Sequence, residues 1–327
     1  MKRPILLGVP NVSEGRDGET IAAIGEAFAS SQSAEEHEVR LLDVHSDADH
    51  HRSVFTLAAP PQALADALLA GAAAAVARID VMSRTGADAS DGGQHPHVGA
   101  VDVVPVVYVE QSSRGSACAE ALVVADRIGE ELGVPVFLYG ELTAQEEAGG
   151  RRASARGRTR AELRRGGVAG LRERMAQGAR GAARGANAVR PDFGPRRMHR
   201  TAGATLVAAR PPLVAFNVQL AAGATLADAR AVAARVREGG ENGLPGVRAM
   251  GVALAGGVMQ VSMNVERPLE LGLGEVVAAV AAAAQARVAS AELVGLAPSA
   301  ALEGFPEDVP LIGFDPARQV LEKALGS

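Results

Sequence analysis

The sequence lacks several features that mark common protein classes. Its 327 residues include one cysteine and no tryptophan, and aromatic residues make up only 3%. A single cysteine excludes an intrachain disulfide framework and suits a reducing compartment. No uninterrupted apolar run reaches the roughly 18 residues of a membrane-spanning helix. The first apolar stretch stops at Pro10, too early for a secretory signal. We therefore expect a cytoplasmic protein without a membrane partner.

Two common catalytic motifs are also missing. The phosphate-loop pattern GxxxxGK[ST] and the nucleophile elbow GxSxG do not occur, so neither a P-loop nucleotidase nor a triad hydrolase has support. No zinc-finger or RNP pattern is present, and we expect no nucleic-acid partner.

Charge is distributed unevenly along the chain. Residues 151–200 contain fifteen arginines, no lysine and three acidic residues, a formal charge of +12 within a chain whose total is −5. Such a segment can attract an anionic ligand. A solvated, arginine-rich connector is the alternative interpretation.

The order of the predicted elements indicates the fold. A strand over "ILLGVPNVS" precedes a helix, two strands, a second helix and the strand "HVGAVDVVPVVYV". This β-α-β-β-α-β order is typical of a ferredoxin-like split βαβ unit. It recurs after Ala202, beginning with the stretch "ATLVAARPPLVAFNVQL", which reads as one strand. We predict an α/β (α+β) protein with two ferredoxin-like subdomains, 1–185 and 186–327, whose antiparallel or mixed sheets are covered by helices; the first would include an Arg-rich loop, 141–185.

His95 is the first candidate for proton transfer. It precedes Pro96, which disfavours helix at His95 and holds it extended at the entrance to an apolar, β-branched strand. An imidazole on such a support can act as a general acid or base near neutral pH. A loop histidine that binds a backbone carbonyl is the simpler alternative.

A second cluster, "DVHSDADHHR" at 43–52, holds three more histidines. On an extended chain Asp43, His45, Asp47, Asp49 and His51 share one side. With His95 and His97 they could serve a metal-dependent hydrolase. An ordinary solvated turn is the other interpretation.

Eight stretches of the chain resemble glutamate formiminotransferases in sequence and in order. They are "VPNVSEGRD", "LLDVHSDADHHRSVFT", "QHPHVGAVDVVPVV", "GVPVFLYGE", "RTRAELRRGG", "RPDFGP", "GATLVAARPPLVAFNVQL" and "AELVGLAP". The resemblance implies a two-subdomain transferase, usually a homodimer. It would move a formimino group from N-formiminoglutamate to N5 of tetrahydrofolate in histidine degradation. Tetrahydrofolate would be the acceptor substrate, and no metal is expected. The animal enzyme carries a cyclodeaminase domain after this region, and we expect that activity to be absent here.

The family's site residues fall on specific positions of this chain. Its catalytic histidine corresponds to His95 in "QHPHVGAVDV", and its arginine after the second strand to Arg52. Arginine forks would pair with glutamate carboxylates. We predict a substrate site formed by Asn11, Ser13, Glu14, His45, Asp47, Arg52 and His97, with Asp47 or Asp49 orienting His95. The family's folate-binding stretch falls on Arg160, Ala161, Glu162, Leu163, Arg164, Arg165, Gly166, Gly167, Val168 and Ala169.

Three positions depart from the family pattern. His45 replaces an aspartate, Gln94 an acid and His97 an arginine. These changes bear on which one-carbon donor is used. They also leave a non-catalytic folate-binding homologue as a further alternative, beside the metal-dependent hydrolase.

Overall fold

The computed structural model describes residues 4–30, 39–85, 96–143, 157–179, 188–284 and 288–326. They divide into two compact units, Met1–Pro211 and Pro212–Ser327. None of the helices in these ranges is long and apolar enough to cross a membrane.

The first unit alternates short strands with helices. Its elements in chain order are β1 Leu6–Gly8, β2 Asn11–Val12, α1 Gly18–Ala29, β3 Arg40–Asp47, β4 Arg52–Ala59, α2 Ala63–Arg78, β5 Val101–Val107, α3 Arg114–Glu131, β6 Val136–Leu138, α4 Arg160–Arg164, α5 Gly167–Ala179 and β7 Thr205–Arg210. The predicted β-α-β-β-α-β order is confirmed from β1 to β5.

The described strands of this unit form one mixed sheet. Strands β1 and β2 lie between β4 and β5 and are antiparallel to both, while β3 pairs with the other side of β4. Strands β7 and β6 extend the sheet beyond β5, in parallel. The sequence β3-β4-β1/β2-β5 is the strand order of a split βαβ unit.

Helices cover both faces of this sheet. Side chains of α1, α2 and α3 pack with Val207 and Ala209 of β7 in one core cluster. The alternate residues Leu206 and Ala208 pack on the opposite face, in a second cluster with residues of α4 and α5. Because successive side chains of a strand point to opposite faces, β7 contributes to both clusters.

The second unit repeats the split βαβ order. Its elements are β8 Val214–Leu220, α6 Leu226–Val236, β9 Val247–Ala253, β10 Met259–Val265, α7 Leu273–Ala283, β11 Val288–Val294, α8 Ser299–Leu302, β12 Leu311–Ile312, α9 Pro316–Gln319 and α10 Leu321–Leu325. Their sheet has the order β12-β11-β8-β10-β9, and α6 and α7 cover one of its faces.

The stretch read from the sequence as one strand, 204–220, is two strands in different sheets. Strand β7 pairs in parallel with β5 and β6, whereas β8 pairs with β10 and β11. Pro211 and Pro212 separate them, and a proline cannot donate a ladder hydrogen bond. The first unit therefore extends to Pro211, past the expected boundary at 185. Within the expected 141–185 loop, α4 and α5 are helical.

Candidate functional site

Two loops of the first unit meet at Gly15. The loop after β2 lies against the turn between β3 and β4: the Ser53 hydroxyl donates to the Glu14 carbonyl at 2.6 Å, and the Arg16 Nε donates to the Ala48 carbonyl at 3.0 Å. A Cβ atom at Gly15 would lie 2.5 Å from the Arg52 backbone nitrogen. Only a glycine allows this approach, which joins two segments of the predicted substrate site.

The Glu14 carboxylate is buried and organises this junction. Its Oε1 accepts from the N–H groups of Gly15, Arg16 and Asp17 at 3.0, 2.9 and 3.1 Å. His51 Nδ1 lies 3.3 Å from the same oxygen. Burial acts to raise the pKa of Glu14, but the hydrogen bonds from Arg16 and Asp17, the charge of His51 and the bond from Arg84 together hold this pKa below its usual value.

Arg84 links the Glu14 loop to the segment that precedes residue 86. Its guanidinium donates to Glu14 Oε2 at 3.1 Å and to the Ser13 carbonyl at 2.8 Å. The chain before Arg84 is anchored in turn, because Val81 donates to the Thr201 carbonyl at 3.0 Å. Arg84 was not among the predicted site residues, and no sequence signal marks it.

Asp102 is a buried carboxylate inside strand β5, with 1% of its surface exposed. It is the extra residue of a β-bulge, since Asn11 lies opposite Val103 and Val12 lies opposite Val101. Its Oδ1 accepts from the Val98 N–H at 2.8 Å, and its Oδ2 is paired with Arg164 of α4. The sequence signal for Asp102 is a single acid in the apolar run "VDVVPVV".

Arg52 lies at the start of β4, close to two other arginines. The pKa of Arg52 is lowered to about 10, first by burial and then by the charges of Arg164 and Arg160, while the charges of Asp102 and Asp47 act to raise it. Asp47 is the direct partner of Arg52 in the β3–β4 register. Within the described residues Arg52 has no ion pair. We call Arg52, Arg160 and Arg164, with Asp102, the arginine cluster.

Arg164 also has one donor without an acceptor in the described part of the chain. Its Nε is buried and has no hydrogen-bond partner among the described residues. A buried donor without an acceptor costs about 1–3 kcal/mol. Arg52, Arg160 and Arg164 outnumber the two carboxylates that act on Arg52, Asp102 and Asp47, so the arginine cluster is suited to bind a further carboxylate.

The predicted folate-binding stretch forms α4, a two-glycine turn and the start of α5. Thr159 and Glu162 close a capping box at the start of α4. Gly166 and Gly167 have φ values of +76° and +59°, and a Cβ on Gly167 would lie 3.5 Å from the His97 carbonyl oxygen. The turn therefore lies beside His97. Of the ten predicted residues, Leu163 and Val168 are core residues, and Ala161, Glu162, Arg165, Gly166 and Ala169 are exposed.

The remaining predicted residues have structural partners or lie outside the described ranges. Asn11 Nδ2 donates to the Val9 carbonyl at 3.0 Å, and the Ser13 hydroxyl to the Gly99 carbonyl at 2.7 Å. His45 is half-buried on β3, opposite Val54. His95 and Gln94 fall outside the described residues, which resume at Pro96.

The acidic and histidine-rich cluster forms a turn with internal contacts. The His50 N–H donates to Asp47 Oδ1 at 2.8 Å, and His51 has a left-handed φ of +46°. In the part of the chain that the structure describes, no three His, Cys, Asp or Glu side chains are grouped to hold a metal ion.

Comparison with known proteins decides the family. The model of the formiminotransferase domain, N-terminal subdomain, matches residues 5–210, which correspond to the first unit. The chain belongs to the formiminotransferase family. The resemblance inferred from the eight stretches is therefore confirmed.

Similarity to curated relatives extends through both units. A glutamate formimidoyltransferase of Streptococcus pyogenes is 32% identical over 97% of both chains. One of Thermoplasma acidophilum is 31% identical over 97% of this chain and 96% of its own. The formimidoyltransferase-cyclodeaminase of Gallus gallus is 34% identical over 90% of this chain but only 50% of its own length.

Proposed function

We propose that the protein transfers a formimino group from N-formimino-L-glutamate to N5 of tetrahydrofolate, releasing glutamate and 5-formiminotetrahydrofolate, a step of histidine degradation and one-carbon metabolism. Relatives named glutamate formimidoyltransferase that match nearly end to end support the reaction. The observation that supports it at the site is the arginine cluster, in which the predicted substrate residue Arg52 interacts electrostatically with the predicted folate-binding residues Arg164 and Arg160.

The charge of the arginine cluster fits both substrates. N-formiminoglutamate has two carboxylates, and tetrahydrofolate ends in a glutamate. Guanidinium groups bind carboxylates through paired, charge-assisted hydrogen bonds. Arg52 and Arg164, whose buried Nε lacks an acceptor among the described residues, are the groups that we assign to these carboxylates.

The chemistry is transfer at an amidine carbon. A bond forms between folate N5 and the formimino carbon as N5 loses its proton, and the bond from that carbon to the glutamate nitrogen breaks as this nitrogen gains a proton. We assign both proton transfers to His95, which would act first as general base and then as general acid. Binding both substrates in one site supplies the orientation that a reaction between two molecules needs. No step requires a metal ion.

Other predicted residues receive positioning or binding roles in this proposal. His97, beside the Gly166–Gly167 turn, and His45 and Asp47, on the strand next to Arg52, are assigned to the substrate site. We also propose a two-subdomain arrangement, a homodimer and a cytoplasmic location, to be tested by sedimentation of the purified chain and by fractionation of its host cells.

A direct assay tests the proposal. Purified protein is mixed with tetrahydrofolate and N-formiminoglutamate, and glutamate release is followed for the wild type and for His95→Asn. We expect release that requires tetrahydrofolate and falls by about 10²–10⁴-fold in the variant. Arg127→Gln is the control, because Arg127 pairs with Asp66 and Glu131 on the surface of α2 and α3 and has no role in the proposed site.

Other outcomes have distinct meanings. Release with N-formylglutamate alone would replace the donor and keep the transferase. Binding of tetrahydrofolate without turnover of either donor would indicate a non-catalytic folate-binding protein. Activity that disappears with a chelator and returns with a divalent metal would favour the metal-dependent hydrolase.

A further inference from the structure

Asp102 occupies an unusual place for a carboxylate. It lies in the middle of the first sheet, 1% exposed, on a strand whose other residues are Val and Pro. The β-bulge at Asp102 adds a residue to β5 opposite Asn11 and Val12. A bulge re-aims a side chain that would otherwise follow the regular alternation of the strand.

The two oxygens of this carboxylate serve different segments. Oδ1 accepts from the backbone N–H of Val98, in the segment that leads from Pro96 to β5. Oδ2 is paired with the guanidinium of Arg164, on a helix that comes 62 residues later in the chain. One side chain therefore fixes the position of Arg164 relative to the segment that follows His95.

The surroundings of Asp102 supply an excess of positive charge. Arg164 is paired directly with Asp102. Arg52 interacts electrostatically with Asp102 and also with Asp47. Arg160 adds a third guanidinium near Arg52. Without the Asp102 carboxylate, Arg164 would be a buried cation beside two other cations. It would also lose the ion pair that holds its side chain in the present position.

We infer that Asp102 is a positioning residue of the transfer reaction: one oxygen holds the segment that follows His95, and the other holds Arg164 in place for a substrate carboxylate. This inference rests on the proposed function. It assigns separate consequences to the two oxygens, so substitutions that remove one or both of them can be told apart.

Two substitutions separate the two roles. Asp102→Asn keeps an oxygen that can accept from Val98 and removes the negative charge that holds Arg164. We expect the KM for the substrate bound by Arg164 to rise by about tenfold or more, with kcat changed less than about threefold. Asp102→Ala removes both acceptors. It should show the same rise in KM and, in addition, a fall in kcat of about tenfold or more, because the Val98 segment loses its anchor.

Matched controls come from the same unit. Asp66 pairs with Arg127 on the surface of α2 and α3, which cover the face of the first sheet opposite to α4. Asp66→Asn and Arg127→Gln therefore remove similar groups outside the arginine cluster. Both should leave KM and kcat unchanged. Arg164→Gln should raise KM at least as much as Asp102→Asn, because it removes the guanidinium that binds the substrate carboxylate, and the double variant should lose no more than Arg164→Gln alone.

The outcomes decide the inference. If Asp102→Asn and Asp102→Ala lower only the unfolding temperature, or lower kcat equally, Asp102 has a structural role and the inference is wrong. Binding of tetrahydrofolate and of glutamate, measured by calorimetry, provides a readout independent of turnover. A wild type that binds them without transfer would contradict the proposed function, while weaker binding by Asp102→Asn would still support the role of Asp102 in placing Arg164. A wild type that binds neither compound overturns both.

Discussion

Gly15 packs against the backbone carbonyl of Asp47, on the turn that brings β3 into β4. This contact closes the junction between the Glu14 loop and Arg52. Any side chain at Gly15 would push the two segments apart, although they are separated by more than thirty residues in the sequence.

The first prediction concerns this contact. Gly15→Ala should lower the free energy of unfolding by about 1–3 kcal/mol and raise the KM for N-formiminoglutamate, because the new methyl group must displace backbone rather than a flexible side chain. Gly18→Ala is the matched control: no atom lies within 4 Å of its Cβ, and it begins α1. Urea unfolding and steady-state kinetics of both variants check this. Equal effects of the two substitutions would contradict it.

The second prediction concerns Arg52. Arg52→Gln should raise the KM for N-formiminoglutamate by about 10–100-fold, the loss expected for charge-assisted hydrogen bonds worth about 1.5–3 kcal/mol. Arg52→Lys keeps the positive charge but not the paired donors of the planar guanidinium, so its rise in KM should be smaller than that of Arg52→Gln but still measurable. Steady-state kinetics with Arg127→Gln as control tests this. A change in kcat without a change in KM would contradict the assignment of Arg52 to substrate binding.

The third prediction concerns the start of α2. That helix has no side-chain cap of its own; instead Glu120 of α3 accepts from the N–H groups of Gln62 and Ala65, both at 2.8 Å. Glu120→Ala should lower the free energy of unfolding at pH 7 by about 1–3 kcal/mol, because two donors lose their acceptor. Glu120→Gln retains an acceptor oxygen and should lose less. Urea unfolding checks the order of the two variants; equal losses would show that the cap depends on charge alone.

The same residue predicts a pH dependence. Burial raises the pKa of Glu120, against the hydrogen bonds from Ala65 and Gln62 that lower it. A carboxyl whose folded pKa lies above its unfolded pKa binds its proton more tightly in the folded state. Its contribution is fully present below the unfolded pKa and is lost as pH rises through the folded pKa. As the pH rises from about 4.5, the free energy of unfolding of the wild type should therefore fall relative to that of Glu120→Gln.

The fourth prediction concerns His199. Its Nδ1 accepts from the N–H groups of Thr201 at 3.3 Å and Ala202 at 3.0 Å. Burial, followed by the charge of Arg200, lowers the pKa of His199. The unfolded state then binds its proton more readily, so the contribution of His199 is present above the unfolded pKa of about 6.5 and is lost as pH falls through the folded pKa.

Substitution isolates this effect. His199→Asn keeps an acceptor and has no titrating group, so its unfolding temperature should depend less on pH between about 5 and 7 than that of the wild type. The turn also supports the segment after His95, since the Ala202 carbonyl accepts from Ala100 at 2.9 Å. Thermal unfolding across this range is the measurement. Parallel curves for the two proteins would contradict the assignment.

The candidate site was only partly predictable. Sequence motifs predict Arg52, Glu14 and Arg164 but not their partners, because Arg84 carries no local signal and Asp102 is a single acid within an apolar strand. Leu163 and Val168 belong to the core, although both lie in the predicted folate-binding stretch. The resemblance identifies a stretch of chain and does not say which face of a helix binds folate. His95 remains a prediction.

The sequence by itself determined the order of the elements, the repeated split βαβ pattern and the family. These follow from hydrophobic periodicity, turn residues and short motifs, all of which act between near neighbours in the chain. Only the tertiary structure decided that β7 joins the first sheet, that Asp102 sits on a bulge, and that Arg164 reaches it. Strand register and the packing of distant segments determine such contacts, and a local pattern carries no information about either.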